Sequence, residues 1–162
     1  MKVISHKKLQ DWYALHGRKD LPWRLTKDAY HIYVSEVMLQ QTQVKTVLER
    51  FYFPFLEKFP TLEALAKAHV EEVLKMWQGL GYYSRARNLH AAAKAIVHDL
   101  DGQLPETAEG WKRLPGIGPY TAAAIASICH QEAVPVIDGN VQRVLSRLFN
   151  IDQPVDRKSG RV

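Results

Sequence analysis

Cysteine is almost absent from this sequence, since Cys129 is the only one in 162 residues. A single cysteine cannot close a disulfide within the chain, and it cannot supply the several thiolates of a zinc or iron–sulfur site built on cysteine. Long apolar runs are also missing, because none approaches the roughly 20 residues that a membrane-spanning helix needs. The first eight residues lack the apolar stretch of a secretory signal. We therefore expect a soluble cytoplasmic protein with no metal site in this chain and no contact with a membrane.

Acidic residues are outnumbered: 17 Asp and Glu face 22 Lys and Arg, which gives a formal net charge of +5. This excess is compatible with a polyanionic partner such as nucleic acid, although many basic proteins bind none. The 46% of hydrophobic and 10% of aromatic residues exclude an intrinsically disordered chain. At this length, folding buries roughly 70% of the surface of the unfolded chain, which is enough for one core.

Strand-like alternation is scarce, whereas apolar residues recur three and four apart along almost the whole chain. The pattern predicts an all-α fold. Asp28, Thr61 and Asp138 are suited to cap helices, and Pro54 is expected to bend one. Helices are expected over residues 5–16, 28–41, 44–59, 61–68, 70–78, 84–100, 106–113, 119–130 and 138–149, with a turn at 21–23, a short extended run at 134–137 and a polar tail over 150–162.

A short glycine-containing segment, Leu114 to Gly118, lies between two of these helices. Two glycines around one apolar residue allow a tight hairpin with outward-pointing backbone N–H groups. The next helix presents its positive N-terminal end at the same place. This arrangement suits a DNA phosphate and requires no basic side chain. An ordinary turn between two helices is the alternative.

Two carboxyl groups lie in contrasting sequence environments. Glu36 is on a half-apolar helix face, which favours a raised pKa and a proton donor near neutral pH; the alternative is a solvated glutamate. Asp138 opens a helix whose N–H groups and dipole should lower its pKa, which is also compatible with a plain N-cap. One protonated and one charged carboxyl group are what cleavage of a bond to a sugar requires.

An aromatic loop with two glycines, residues 77–84, precedes Arg85 and Arg87. Such a loop is suited to place a side chain such as Tyr82 into a base stack, while the arginines hold phosphates. The alternative is that the tyrosines pack on the core.

Together these segments resemble the helix-hairpin-helix DNA glycosylase superfamily, and most closely its adenine-excising branch. The resemblance extends from about Leu21 to about Phe149, with the motifs in the family's order, and its most specific strings are 35–42 and 79–87. Branches that also cut the DNA backbone carry a lysine at position 120, whose amine forms a Schiff base. Since Tyr120 cannot do so, the resemblance implies a monofunctional glycosylase. Its reaction would be hydrolysis of the N-glycosidic bond of adenine mispaired with 8-oxoguanine or guanine.

The resemblance also assigns catalytic roles to individual residues. Glu36 matches the general acid that protonates the adenine ring. Asp138 matches the carboxylate that stabilises the oxocarbenium-like sugar, and Tyr120 and Asn140 match residues that assist around the sugar and the two carboxylates.

Binding roles follow from the resemblance in the same way. Trp23, Arg24 and Leu39 match the lining of the adenine pocket. Gln41 and Tyr82 match side chains that enter the duplex near the lesion. The other implied DNA contacts are Thr42, Arg85, Arg87, Leu114, Gly116, Ile117, Gly118 and Thr121.

The sequence departs from the family in what it lacks. Family members continue into a loop whose four cysteines hold a 4Fe-4S cluster, then into a domain that senses 8-oxoguanine. We expect those cysteines beyond residue 162, so that this chain holds no cofactor. Residues 1–162 are then a partial catalytic region, incomplete at the C-terminus: a helical core over about 22–132 contains the hairpin 114–118, and 1–21 with 133–162 form an incomplete second subdomain. Leu9, Trp12 and the last helix should be partly uncovered, and Cys129 should be a small core residue.

The implied partner is double-stranded DNA containing a mispaired adenine, bound by a monomer in a bacterial cytoplasm near the nucleoid. Two alternatives stay open. One is an endonuclease III-like glycosylase/lyase, against which Tyr120 argues. The other, for this chain alone, is a DNA-binding module with little activity.

Overall fold

A computed structural model of the protein describes residues 5–153, and this part of the chain forms eleven α-helices and no β-strand. The all-α prediction is confirmed. In chain order the helices are α1 (His6–His16), α2 (Pro22–Leu25), α3 (Ala29–Leu39), α4 (Val44–Arg50), α5 (Tyr52–Lys58), α6 (Leu62–Lys67), α7 (Val70–Met76), α8 (Tyr83–Asp99), α9 (Ala108–Trp111), α10 (Pro119–His130) and α11 (Gly139–Phe149).

The predicted helix caps are present in the structure. The Asp28 carboxylate accepts the backbone N–H groups of Tyr30 and His31 at 2.8 and 3.1 Å. The Thr61 hydroxyl accepts the N–H of Ala64 at 3.2 Å. These side chains satisfy donors that have no partner inside the first helical turn, and this is why α3 and α6 begin where they do.

One predicted helix is divided differently from the expectation. Residues 44–59 were expected to form one helix bent at Pro54, but the chain breaks at Phe51, whose φ is −122°, between α4 and α5. Pro54 is the third residue of α5, where a backbone N–H has no acceptor within the helix, so that a proline is tolerated. The break allows the buried Phe51 ring to pack into the core.

Two smaller differences concern the chain before α3 and after α11. The expected turn at 21–23 continues into the four-residue helix α2, with Pro22 in the first helical position. Most of the predicted tail over 150–162 lies outside the described residues.

The core forms around α3 and α8. α8 packs against α6 and α7, and α3 packs against α10, α5 and α8. Four fully buried aromatic side chains fill the space between these helices, with the rings of Tyr33 and Trp111 at 5.1 Å and those of Phe55 and Trp77 at 5.8 Å. Burial of each large apolar side chain contributes roughly 1.5–3 kcal/mol to the stability of the domain.

The two terminal helices of the described chain lie outside this core. All residues of α1 are exposed, and all residues of α11 are exposed or half-buried. Leu9 and Trp12 are each 58% exposed, and Phe149 is 52% exposed. These values agree with the expectation that both helices are partly uncovered, while the division of the chain into 22–132 and two flanking parts stays a prediction.

Candidate active site

A cavity of about 850 Å³ opens between α3, α10 and the chain from α1 to α2. Five residues assigned from the sequence to catalysis or to the adenine pocket line it together: Trp23, Arg24, Glu36, Leu39 and Tyr120. Its size falls within the range of sites that enclose a small organic molecule. The other lining residues are Tyr13, Arg18, Lys19, Leu21, Leu25, Ile32, Gln40, Thr42, Val44, Ala124, Ile128 and Val136.

Glu36 is held in this cavity by the most deeply buried helix of the fold. Its helix, α3, buries seven of its eleven residues. Burial raises the pKa of the Glu36 carboxyl, and the nearby Arg24 guanidinium partly opposes this by lowering it. Because a raised pKa extends the protonated form to higher pH, Glu36 has the property that a general acid needs.

Tyr120 is influenced by the charges of both carboxyl groups. It is the second residue of α10 and is 39% exposed. Burial raises the pKa of its hydroxyl, and the charges of Glu36 and Asp138 raise it further. Tyr120 therefore lies in the field of both carboxylates, which favours the protonated form of its hydroxyl.

Asp138 is held in the charged form by the beginning of α11. Its carboxylate accepts the N–H of Val141 at 2.7 Å and the side-chain amide of Asn140 at 2.9 Å. Arg143 in turn donates to the Asn140 side-chain oxygen at 2.6 Å. The hydrogen bond from Val141 and those from Asn140 lower the pKa of Asp138, against a smaller raising effect of burial. The N-cap interpretation is confirmed, and the lowered pKa is compatible with the ionised-carboxylate interpretation, while the catalytic roles of Asp138 and Asn140 stay predictions.

The predicted hairpin is a tight turn between α9 and α10. Ile117 donates its N–H to the Leu114 carbonyl at 3.3 Å, and Gly116 has a φ of +72°. A Cβ at Gly116 would lie 2.4 Å from the Asn88 side chain, so the turn requires glycine both for its backbone and for its space. The Leu114 and Ile117 side chains are buried and anchor the turn, which leaves the exposed Gly116 and Gly118 at the surface.

Thr121 differs from its expected role in DNA contact. Its side chain is buried and its hydroxyl accepts the Gln40 amide at 3.1 Å. The side chain is therefore not available to DNA, and only the backbone N–H in the first turn of α10 can face a phosphate.

Arg85 requires a full correction. The sequence suggested that it holds a phosphate, but its side chain is buried and its two terminal nitrogens donate to five carbonyls and one hydroxyl of the protein. Both terminal nitrogens are already used within the protein, and Nε is buried without a partner, so the side chain presents no donor to a phosphate at the surface. Arg87 is exposed, as are Gln41 and Tyr82, while Thr42 is half-buried.

The sequence analysis did not identify the wall of the cavity formed by α1 and the loop after it. Arg24 donates to the Tyr13 hydroxyl at 2.9 Å and to the Arg18 carbonyl at 2.6 Å, and its guanidinium lies 5.9 Å from the Tyr13 ring centre. Lys19 donates to the Ala14 carbonyl at 2.6 Å. The apolar spacing that includes Tyr13 predicted a helix over residues 5–16, but no sequence pattern indicated that Tyr13 meets Arg24.

The described residues do not suit a cysteine-held cluster. A 4Fe-4S cluster takes four thiolates, and Cys129 is half-buried against the core with its thiol pKa raised by burial to about 11. A raised pKa opposes the thiolate that a metal needs. Cys129 is therefore a packing residue. Among the described residues, no helix is both long and apolar enough to cross a membrane.

The fold and the site together agree with a class of DNA-repair protein. The model of the HhH-GPD superfamily of base excision DNA repair proteins matches residues 34–160. Because this match includes most of the chain, the protein belongs to the HhH-GPD superfamily.

Among proteins with curated names, this chain is similar to adenine DNA glycosylases. The chain is 50% identical over 149 residues to the adenine DNA glycosylase of Homo sapiens, covering 86% of this chain and 27% of that protein. It is 46% identical over 145 residues to the adenine DNA glycosylase of Mycolicibacterium smegmatis, covering 89% and 49%. The chain thus spans between about a quarter and a half of the length of these relatives.

Solved structures support the same fold. A thermostable thymine-DNA glycosylase superposes with a TM-score of 0.84 at 27% identity, covering 94% of this chain and 71% of that one. An endonuclease III–DNA complex superposes with a TM-score of 0.67 at 24% identity over 78% and 59% of the two chains. The latter likeness concerns the fold alone.

Proposed function

We propose that the protein is a monofunctional adenine DNA glycosylase, which hydrolyses the N-glycosidic bond of an adenine mispaired in duplex DNA. One observation carries the proposal. The charges of Glu36 and Asp138 both raise the pKa of Tyr120, yet the pKa of Glu36 is itself raised by its surroundings and the pKa of Asp138 is lowered by its own. A pair of carboxyl groups divided in this way matches the chemistry of glycosidic bond cleavage, in which one group donates a proton and the other stays charged.

The proposed mechanism gives each of these groups one role. The adenine leaves the base stack, at a cost of a few kcal/mol that a mismatch reduces, and enters the cavity. Glu36 gives its proton to the adenine ring, so that the bond between the base and C1′ breaks with its electron pair on the base. The ionised Asp138 stabilises the positive charge that develops on the sugar. A water molecule then adds to C1′ and loses a proton, which completes the hydrolysis.

The choice of adenine as the substrate is supported by the relatives, two of which are named adenine DNA glycosylases and are 46–50% identical to this chain. The choice of DNA is supported by the net charge of +5 and by the hairpin beside the N-terminus of α10. We include in the proposal the opposing base, 8-oxoguanine or guanine, and a monomer acting near the nucleoid of a bacterial cytoplasm. Sedimentation with and without DNA tests the monomer.

A substrate panel tests the activity. Duplexes pairing adenine with 8-oxoguanine, guanine or thymine are incubated with excess protein, and adenine release is followed under single-turnover conditions. We expect release from the first two duplexes and little from the third. A protein that left all three intact while releasing an oxidised pyrimidine from a fourth duplex would belong to a different branch.

An endonuclease III-like glycosylase/lyase is the second candidate, because an amine, that of Lys19, lies on the cavity wall. A lyase forms a Schiff base between its amine and the sugar, and borohydride traps this adduct. We expect that the amount of trapped adduct does not follow the amount of base released, since position 120 holds a tyrosine and Lys19 donates to the Ala14 carbonyl. Abundant trapping that Lys19→Gln abolishes would instead establish the lyase.

A further inference from the structure

Two exposed side chains, on loops that Arg85 joins, lie on strained backbone. Gln41 has a φ of +55° and Tyr82 a φ of +50°, in the left-handed region that residues other than glycine rarely adopt. Gln41 follows the end of α3, and its neighbours Gln40 and Thr42 line the cavity. Tyr82 immediately precedes α8 and is 61% exposed. Such strain persists only where the surrounding structure enforces it, and it is common at functional sites.

One buried guanidinium enforces both conformations. Nη1 of Arg85 donates to three carbonyls at the end of α3, those of Val37, Met38 and Gln40, at 2.9, 2.8 and 2.6 Å. These are the carbonyls that a helix C-terminus leaves without partners, and they carry the negative end of its dipole. The chain is thereby fixed one residue before Gln41.

The other terminal nitrogen of Arg85 fixes the second loop. Nη2 donates to the Gly81 carbonyl at 3.1 Å, one residue before Tyr82, and to the Thr42 hydroxyl at 3.2 Å, one residue after Gln41. The guanidinium also lies 5.5 Å from the centre of the Tyr82 ring. Trp77 reinforces the loop, since its indole N–H donates to the same Gly81 carbonyl at 3.1 Å.

The two loops are also tied to the cavity. Gln40, whose carbonyl Arg85 holds, donates its side-chain amide to the Thr121 hydroxyl, next to Tyr120. Arginine is suited to this junction because its donors lie in one rigid plane and keep their directions, whereas the lysine ammonium is a single flexible point.

We infer that Arg85 is a positioning residue that fixes Gln41 and Tyr82 as one rigid pair, which opens the base stack of duplex DNA beside the cavity. The DNA ligand rests on the proposed function, but the rigid pairing rests on the contacts of Arg85. Arg85 touches neither DNA nor the reacting atoms. It acts by holding two exposed side chains at a fixed separation.

The test measures base unstacking separately from chemistry. A duplex carries 2-aminopurine next to an adenine opposite 8-oxoguanine, and its fluorescence rises when saturating protein opens the stack. Arg85→Lys keeps the positive charge but loses the planar guanidinium with its two terminal nitrogens. We expect the equilibrium constant for unstacking to fall by about tenfold, because unstacking is costly enough for a misplaced wedge to matter.

A double-mutant cycle identifies the pairing itself. Gln41→Ala and Tyr82→Ala should each reduce the fluorescence rise in the natural protein. In the Arg85→Lys background both should have much less effect, since the pair is already misaligned. If both substitutions kept their full effects in that background, Arg85 would not position the pair.

The matched control is His90→Gln, which removes another buried polar side chain of α8. His90 lies five residues after Arg85 on α8 and contacts the Ala68 carbonyl at 3.0 Å, without a recorded hydrogen bond to either loop. Both variants should be destabilised in urea, but only Arg85→Lys should lose the fluorescence rise. An equal loss in both would show that general destabilisation is the cause.

A second variant and a parallel measurement of adenine release complete the test. If Arg85→Lys fails to fold, Thr42→Val removes one partner of Nη2 and should give a smaller loss in the same direction. A rise that Arg85→Lys reduces, without adenine release, would contradict the proposed function and leave the positioning role of Arg85 supported. The absence of any rise in the natural protein would overturn that role, even if adenine were released.

Discussion

The helix that carries Glu36 and the helix that carries Asp138 provide opposite environments for a carboxyl group. α3 buries seven of its eleven residues in the core. All residues of α11 are exposed or half-buried, and Asp138 stands at its N-terminus, where two hydrogen bonds reach its carboxylate. Burial raises the pKa of Glu36, and the hydrogen bonds lower that of Asp138.

This difference shows how one small fold keeps an acid and a charged group near a single tyrosine. Desolvation is available only within the core, whereas backbone N–H donors without partners are available only at a helix end. The two groups therefore have to come from different parts of the fold. Substitutions that change the charge or the packing of these two helices test whether the two environments differ in this way.

The largest effect is expected from Glu36→Gln, which keeps the shape of the side chain but removes the acidic proton. Single-turnover adenine release should fall by roughly 10²–10⁴-fold, the usual contribution of a general acid. DNA affinity, measured by fluorescence anisotropy, should change little. A variant that still released adenine at close to the natural rate would show that Glu36 is not the acid.

The next effect concerns Asp138→Asn, which keeps a capping oxygen for the Val141 N–H but loses the charge. Adenine release should fall by roughly 10²–10³-fold, while stability to urea changes little because asparagine also caps helices. Asp28→Asn is the matched control, since Asp28 caps α3. An equal loss of rate in the control would mean that helix capping, and not charge, is responsible.

Substitutions on α3 and on α11 should have different effects on the free energy of unfolding. Met38 on α3 is fully buried, whereas Val144 on α11 is 55% exposed. Met38→Ala should lower the free energy of unfolding by about 2–5 kcal/mol, because it leaves a cavity in the core. Val144→Ala should change it by less than about 0.5 kcal/mol. Similar costs, measured by urea unfolding, would show that α11 is packed as tightly as α3.

The smallest effect is expected in the pH profile. In the proposed mechanism the rate requires ionised Asp138 and protonated Glu36, so it should fall as pH drops through the lowered pKa of Asp138 and as pH rises through the raised pKa of Glu36. Arg24→Gln removes the charge that lowers the pKa of Glu36. The alkaline limb should therefore move to higher pH, with a few-fold gain above the original limb and an unchanged acidic limb.

Tyr13→Phe supports this pH test, because it removes one of the two acceptors that hold Arg24. It should move the alkaline limb in the same direction by a smaller amount. A shift of either profile to lower pH would contradict the assigned effect of Arg24 on Glu36.

The sequence predicted the features that are set by a few neighbouring residues, such as helix caps and turns. The caps at Asp28, Thr61 and Asp138 and the turn at Gly116 follow from the chemistry of one or a few neighbouring residues. The contrast between Glu36 and Asp138 was also visible, because helix face and helix end can be identified from spacing.

Features that depend on distant contacts were missed. Arg85 suggested a phosphate ligand because a basic residue at the start of a helix often is one, but its partners on α3 lie more than forty residues away in sequence. The break at Phe51 follows from the fit of its ring in the core. The contact of Arg24 with Tyr13 depends on the path of the intervening loop, which no periodicity describes.

The distance in sequence between the two sides of the cavity has a consequence for the protein during its synthesis. Glu36 and Tyr120 are 84 residues apart, and Asp138 comes later still. At about 5–20 residues per second, a ribosome needs roughly 4–17 s to pass from the first to the second. For that interval the nascent chain contains Glu36 but neither Tyr120 nor Asp138. A partly made chain therefore lacks two of the groups that the proposed reaction requires.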